Sequence, residues 1–184
     1  MKQFLIVVDM QVDFIDGSLG TAEAVAILPK VAQAIADFDG TVLFTRDTHF
    51  ENYLATQEGA KLPVPHCIKG TAGHAIHPSL AQFIPQSDAL ICDKLTFGAK
   101  ELPAMIDAQN PKGEALSFTL IGLCTDICVI SNALLLKAFY PEAKVCVDAS
   151  CCAGVTPATH ENALRAMQMC QIEIVNDLPR KATT

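Results

Sequence analysis

The chain has 184 residues, of which 51% are hydrophobic and 18% charged, with a net charge of −7. One domain with a substantial core fits that length, and the acidic balance argues against nucleic acid or an anionic membrane as the main partner. No apolar stretch is long enough to span a bilayer, and Met1 leads straight into strand-like sequence without a secretory leader, so a cytoplasmic protein with its eight cysteines reduced is expected.

The first apolar run, residues 3–8, ends in Asp9. Continuous β-branched and aliphatic runs of this kind read as strands of a parallel sheet buried on both faces. A helical pattern follows over 22–38, and a second strand over 41–45. The stretch from Asp47 to Gly73 is too long and too aperiodic for a simple connection, and long structureless loops in compact domains are usually functional. It carries Asp47-Thr48-His49, then Glu58, then His66 returning between Pro65 and Gly70. Residues two apart at the end of a strand project to the same side, so Asp47 and His49 can face one ion with His66 as a third ligand. Two imidazoles and a carboxylate with open positions suit a catalytic zinc or a similar transition metal; the alternative is a set of solvated loop residues. His74 and His77 read as solvated or capping groups.

A short helix is predicted over 78–83, and a third strand over 89–93 ends in Lys94. Residues 99–108 read as a helix and 118–122 as the fourth strand. Gly122-Leu123-Cys124-Thr125-Asp126-Ile127-Cys128 then turns from strand into a helix expected over 126–139. A thiol at such a turn lies near a helix N-terminus, where the dipole and backbone N–H groups favour the thiolate and two N–H groups can meet an oxyanion. Taken alone, a cysteine near a helix start is most often a small buried hydrophobe, and what lifts Cys128 is its company with Asp9 and Lys94. The fifth strand is expected over 144–147, with Cys151-Cys152 after it as pocket wall. Thr156 before Pro157 is an N-cap signal for a helix over 157–170, where His160 reads as a local structural residue. A last strand over 172–175 precedes a polar tail after Asp177 that is expected to fray.

This alternation implies right-handed crossovers and a single-domain three-layer α/β/α fold with a six-stranded parallel sheet. Ligands bind at the carboxyl ends of strands in such sheets, so Asp9, Lys94 and Cys128 can converge on one crevice.

On Val8-Asp9-Met10-Gln11-Val12-Asp13-Phe14, Asp93-Lys94 with Phe97 and Ala99, and Gly122 through Val129, the chain resembles the isochorismatase-like cysteine hydrolases along nearly its whole length. Asp47-Thr48-His49 and the stretch from Pro65 to Gly73 look like the metal-binding elements of the nicotinamidases within that superfamily, and Phe14 and Asp16-Gly17-Ser18-Leu19 match as well. Departures from the pattern are Val12 for a commonly polar residue, Thr48 for a tryptophan, Cys124 for an alanine, and a short segment after Lys94.

The resemblance implies an amidohydrolase that cleaves nicotinamide to nicotinate and ammonia, in pyridine nucleotide salvage, through a thioester on Cys128. Asp9 is implied as the proton acceptor and Lys94 as the electrostatic partner. The backbone N–H groups of Cys124 and Cys128 form the oxyanion hole beside a cis Leu123–Cys124 peptide, and Phe14, Leu19 and Phe97 wall the ring. One divalent ion, zinc before manganese or iron, is implied on Asp47, His49 and His66 with Glu58 joining them, and a homo-oligomer is expected. The competing readings are a related amidase on another small amide or carbamoyl compound, an isochorismate hydrolase, and a noncatalytic metal or thiol sensor.

Overall fold

Side-chain alternation along the first strand sets up two cores. In the computed structural model, which describes residues 1–177, the order is β1 (Lys2–Val8), α1 (Val12–Ile15), α2 (Ala22–Ala36), β2 (Thr41–Asp47), α3 (Gln57–Lys61), β3 (Ile91–Lys94), α4 (Leu102–Gln109), β4 (Leu116–Leu123), α5 (Ile130–Phe139), β5 (Lys144–Ala153), α6 (Pro157–Met169) and β6 (Glu173–Val175). Phe4, Ile6 and Val8 point to one face of the sheet, where they pack with Leu102 and Ile106 of α4, Ala133 and Leu136 of α5, and Leu164 and Met167 of α6. Leu5 and Val7 point to the other, against Ala24, Ile27, Val31 and Ile35 of α2. The period of two along a strand thus produces the three layers. The tail after Asp177 lies outside the described residues.

All six strands are parallel, in the order β3-β2-β1-β4-β5-β6. From β1 the chain winds outward one way to β2 and β3; from β4 it winds the other way to β5 and β6. The crevice at the carboxyl ends of β1 and β4 is therefore the switch point where open α/β sheets bind ligands. Among the described residues, no helix is long and apolar enough to cross a membrane.

Several boundaries differ from expectation for local reasons. Residues 78–83 form a 3₁₀ helix, opened by Pro78 and capped by His77, whose ring accepts the Ser79 N–H at 3.2 Å. The fourth helix starts at Leu102, placing Pro103 in its first turn. The fifth strand runs on to Ala153, well past Val147, because its register to β4 jumps from Leu120↔Val147 to Gly122↔Cys152. Asp148 holds that irregular stretch by accepting the Ser150 backbone N–H at 3.0 Å and hydroxyl at 2.8 Å. As expected, Thr156 caps α6, in a reciprocal pair with Thr159.

Gly122 lets β4 lie against β1 at the switch point. Its φ is +114°, and a Cβ there would collide with the Val8 carbonyl oxygen. Gly122→Ala is expected to cost about 3 kcal/mol or more through combined backbone strain and overlap. The urea unfolding midpoint measures this; a midpoint equal to wild type would mean that β1 and β4 can separate at this level.

Candidate active site

Four strand ends place their side chains in one spot. Asp9 follows β1, Asp47 closes β2, Lys94 closes β3 directly opposite Asp47 in the ladder, and Cys128 stands in the turn after β4. The Lys94 ammonium is fully buried, 2.7 Å from Asp9 Oδ2, 3.0 Å from Asp47 Oδ1 and 3.3 Å from Cys128 Sγ. Thr45 donates its hydroxyl to Asp9 Oδ1 at 2.6 Å. Asp9 itself has φ of +48°, a left-handed conformation that a non-glycine residue keeps only where its surroundings enforce it.

The protonation pattern follows from burial and neighbours. Burial works against the charge on Lys94, but Asp9, Cys128 and Asp47 outweigh it and hold the ammonium well above its ordinary range. Burial raises the Asp9 carboxyl further than Lys94 lowers it. Burial, reinforced by the Asp9 charge, pushes the Cys128 thiol well above its usual value despite Lys94. Burial thus favours the protonated thiol, which calls for a neighbouring proton acceptor. Its neighbour Asp9 has a raised proton affinity, and Oδ2 touches Lys94 as an ion pair without a directed hydrogen bond, leaving a lone pair for a proton.

The turn that carries Cys128 is a π-type turn over Thr125–Val129, with the regular helix beginning only at Ile130. The Cys124 carbonyl collects the N–H groups of Ile127 at 3.1 Å and Val129 at 3.0 Å. The Leu123–Cys124 peptide is cis, as the resemblance implies. His160 braces the turn through a 2.7 Å hydrogen bond between its Nδ1 and the Thr125 hydroxyl, in keeping with the structural role expected of it.

Asp47 also faces a second cluster. Its Oδ2 lies 2.8 Å from His49 Nε2 and 3.6 Å from His66 Nε2, and Glu58 Oε1 sits 3.6 Å and 3.7 Å from the same two nitrogens. One donor atom from each of the four residues falls within 4.8 Å of all the others. Donors held about 2.0–2.2 Å from a tetrahedral zinc lie roughly 3.4 Å apart, so the set fits a small divalent cation. His66 Nδ1 donates to the Val64 carbonyl at 2.9 Å, which leaves the Nε2 lone pair for the cluster. His49 Nε2 is buried without a directed hydrogen bond, as suits a nitrogen meant for an ion. Burial raises the Asp47 carboxyl, but His49 and Lys94 outweigh it and hold it at about 2, ready to ligate as the anion. The Tyr53 ring packs edge-on at 4.7 Å from His49 and 5.0 Å from His66, and its hydroxyl donates to the Leu62 carbonyl at 2.9 Å, pinning α3 and so Glu58.

Both clusters open on one cavity of about 160 Å³, lined among others by Phe14, Leu19, Phe97, Leu62, Ile127 and Val155. Its size suits a single-ring ligand rather than a drug-sized one. Two expectations fail here. Cys151 and Cys152 are not pocket wall: β5 runs through them and turns one into each core, so that Gly154 and Val155 reach the cavity instead. His74 is neither solvated nor a cap but buried, with Nε2 2.9 Å from the Thr48 hydroxyl.

Sequence reasoning missed the residues that hold this site in place. Gln11 grips the end of β2 by accepting the Asp47 N–H at 2.7 Å and donating to the Asp47 carbonyl at 2.8 Å. Asp13 accepts the Cys67 N–H at 2.7 Å, fixing the chain beside His66. Asn132 donates to the Cys128 carbonyl at 2.8 Å and accepts the Ala99 N–H at 2.8 Å, tying the nucleophile turn to the segment after Lys94. A polar residue one helical turn beyond a cysteine, within an otherwise apolar helix, was the available signal for Asn132.

The isochorismatase domain family model matches residues 3–176. The chain is 28% identical to the nicotinamidase/pyrazinamidase of Mycobacterium tuberculosis, over 93% of this chain and 97% of that protein. The crystal structure of the pyrazinamidase of Pyrococcus horikoshii in complex with zinc is similar, with a TM-score of 0.77 and 30% identity over 95% of this chain and 99% of that one. The pyrazinamidase/nicotinamidase of Streptococcus mutans gives a TM-score of 0.80 and 28% identity over 95% of this chain and all, 100%, of the other.

Removing the cation from the buried cluster leaves two carboxylates facing each other. Lys94→Met is therefore expected to lower stability by about 3–5 kcal/mol, the usual cost of breaking one side of a buried ion pair. Asp9→Asn, which leaves Asp47 to balance Lys94, is expected to be clearly milder. Urea unfolding of the two variants side by side checks the order; equal stabilities would mean that Lys94 is not matched by both carboxylates.

Proposed function

The chain belongs to the isochorismatase domain family and is a hydrolase of amide C–N bonds; from that premise we propose that its substrate is nicotinamide, released as nicotinate and ammonia. The observation that carries this reading is the sharing of Asp47 between two clusters on one small cavity: a thiol with its proton acceptor on one side, and a histidine–carboxylate set on the other. A divalent ion on Asp47, His49 and His66, with Glu58 beside them directly or through water, would keep a position open and supply an electrophilic anchor for the ring nitrogen of the substrate, and zinc suits the donor set.

Asp9 takes the Cys128 proton as the sulfur attacks the carboxamide carbon, so the charge never rests on an unassisted buried thiolate. Lys94 stays an ammonium throughout and steadies first the Asp9 carboxylate and then the sulfur. As the S–C bond forms, the carbonyl pair moves onto oxygen, and the backbone N–H groups of Cys124 and Cys128 receive it. The tetrahedral species collapses by breaking the C–N bond, with the proton on Asp9 transferred to the departing ammonia. Asp9 then deprotonates a water that attacks the thioester; the S–C bond breaks, the proton passes from Asp9 to the sulfur, and nicotinic acid leaves and ionises to nicotinate. Phe14, Leu19 and Phe97 flank the ring and exclude water from its faces.

Cys128→Ala is expected to fold normally and to lose activity by several orders of magnitude, whereas Cys124→Ala, which keeps its backbone N–H, should be mild; ammonia release measures both. For substrate identity, nicotinamide and pyrazinamide should be turned over at least about a hundredfold better than benzamide, which lacks the ring nitrogen and leaves a polar site unmatched. His49→Ala should lose metal and nicotinamide turnover together while Cys128 still reacts with a neutral alkylating reagent. Equal turnover of benzamide and nicotinamide would mean that the pocket serves another small amide, such as a carbamoyl compound.

A further inference from the structure

The cavity does not end at its ring-sized compartment. A wider, open groove of about 630 Å³ begins at its rim, and Glu58, Leu62, Phe97 and Ile127 belong to both. Beyond those shared residues the groove continues past Leu95 and Thr96 on one side and Gln57 and Lys61 on the other. Leu62, Leu95 and Phe97 are exposed by 38%, 58% and 46%, a run of large apolar side chains open to water directly beside a reactive site. Grouped apolar exposure of this kind marks a binding surface more often than scattered surface leucines do.

The groove exists because the segment after Lys94 is short and tied back. Four residues separate Lys94 from the buried Ala99, too few to fold over the cavity. Asn132 holds that segment from below, accepting the Ala99 N–H at 2.8 Å and donating to the Phe97 carbonyl at 3.3 Å, and the Thr96 hydroxyl donates to the Gly98 carbonyl at 2.7 Å. The wall is thus built open by its own hydrogen bonds.

We propose that this groove is a substrate subsite, which takes an apolar substituent on the pyridine ring at the carbon meta to both the nitrogen and the carboxamide. The inference rests on the nicotinamidase reading. There the carboxamide is held at Cys128 and the ring nitrogen at the Asp47–His49–Glu58–His66 cluster, so the carbon between them faces the sheet. The opposite carbon, position 5, is then the edge turned away from both anchors, toward the mouth that cavity and groove share at Glu58, Leu62 and Ile127. Leu62, Leu95, Phe97 and Ile127 give the groove its apolar surface, the polar residues between them include the uncharged Thr56, Gln57 and Thr96, and the charged Glu58 and Lys61 are opposite in sign, so the subsite selects an alkyl or aryl arm rather than an ionic one. A second copy of the chain seated there would close the mouth through which substrate enters, which argues for substrate as the occupant.

The test uses the metal-loaded enzyme with nicotinamide, 5-methylnicotinamide and 5-propylnicotinamide. In the wild type, kcat/KM should rise about twofold per added methylene, half the effect of full burial because the groove is open. Leu95 lines the groove but not the cavity, so Leu95→Asn should abolish that rise while leaving nicotinamide turnover within about twofold. Calorimetry on metal-loaded Cys128→Ala should show 5-propylnicotinate binding several-fold tighter than nicotinate, with the difference lost when Leu95→Asn is added. If nicotinamide is turned over but activity falls with arm length, the subsite is refuted and the nicotinamidase reading stands. If nicotinamide itself is not a substrate, that reading fails first. A rise with arm length that survives Leu95→Asn, or a change in oligomeric state on Leu95→Asn without any change in arm preference, overturns the proposal, the latter by assigning the groove to a second copy.

Discussion

A fully buried lysine ammonium governs this structure. Lys94 sits between two carboxylates and a thiol, each delivered by a different strand end. An ion taken out of water without partners costs several kcal/mol, so the arrangement is stable only when β1, β2, β3 and the turn after β4 meet with their carboxyl ends level. The close approach of Gly122 to Val8 and the facing of Asp47 and Lys94 across the β2–β3 ladder are what level them. Sheet register and site chemistry are therefore one constraint.

Asp47 carries that constraint outward. One of its oxygens meets Lys94 and the other meets His49 and His66, so a single side chain belongs to both clusters. Its backbone is clamped on both sides by the buried Gln11, and the ring of Tyr53 packs on both histidines. In the proposed reading, a rigid bridge of this type would hold the reacting carbonyl and the ring anchor at a set separation, which is how an active site turns binding energy into orientation. It would also make the cavity selective for a ligand whose two polar ends match that separation, with the apolar walls and the open groove beside them setting the limit on size.

Burial explains why the resting thiol keeps its proton. The same desolvation that raises Cys128 also raises Asp9, so burial favours the proton-bearing form of both groups. Lys94 stays charged beside both and can offset an anion on either one. The turn favours the thiolate locally, whereas the depth of the site favours the thiol.

Periodicity and local chemistry are written in the sequence, and what depends on them was legible there. Apolar runs alternating with helical patterns implied the parallel sheet, since a strand buried on both faces has no other composition; Asp9 and Lys94 were marked as functional by standing as charges at the ends of such runs. Asp47 and His49 were legible as a pair because side chains two apart on an extended strand share a side, and Thr156 because an N-cap is a local hydrogen bond. The tertiary structure decided what depends on residues distant in sequence meeting in space. The shift of register that drew Cys151 and Cys152 into the cores, the burial of His74 against Thr48, and the clamps by Gln11 and Asn132 span tens of residues or arise from pairing between strands. Desolvation belongs to the same class: it is set by everything packed around a group, so only the folded chain determined that Cys128 rests as a thiol beside a buried ammonium.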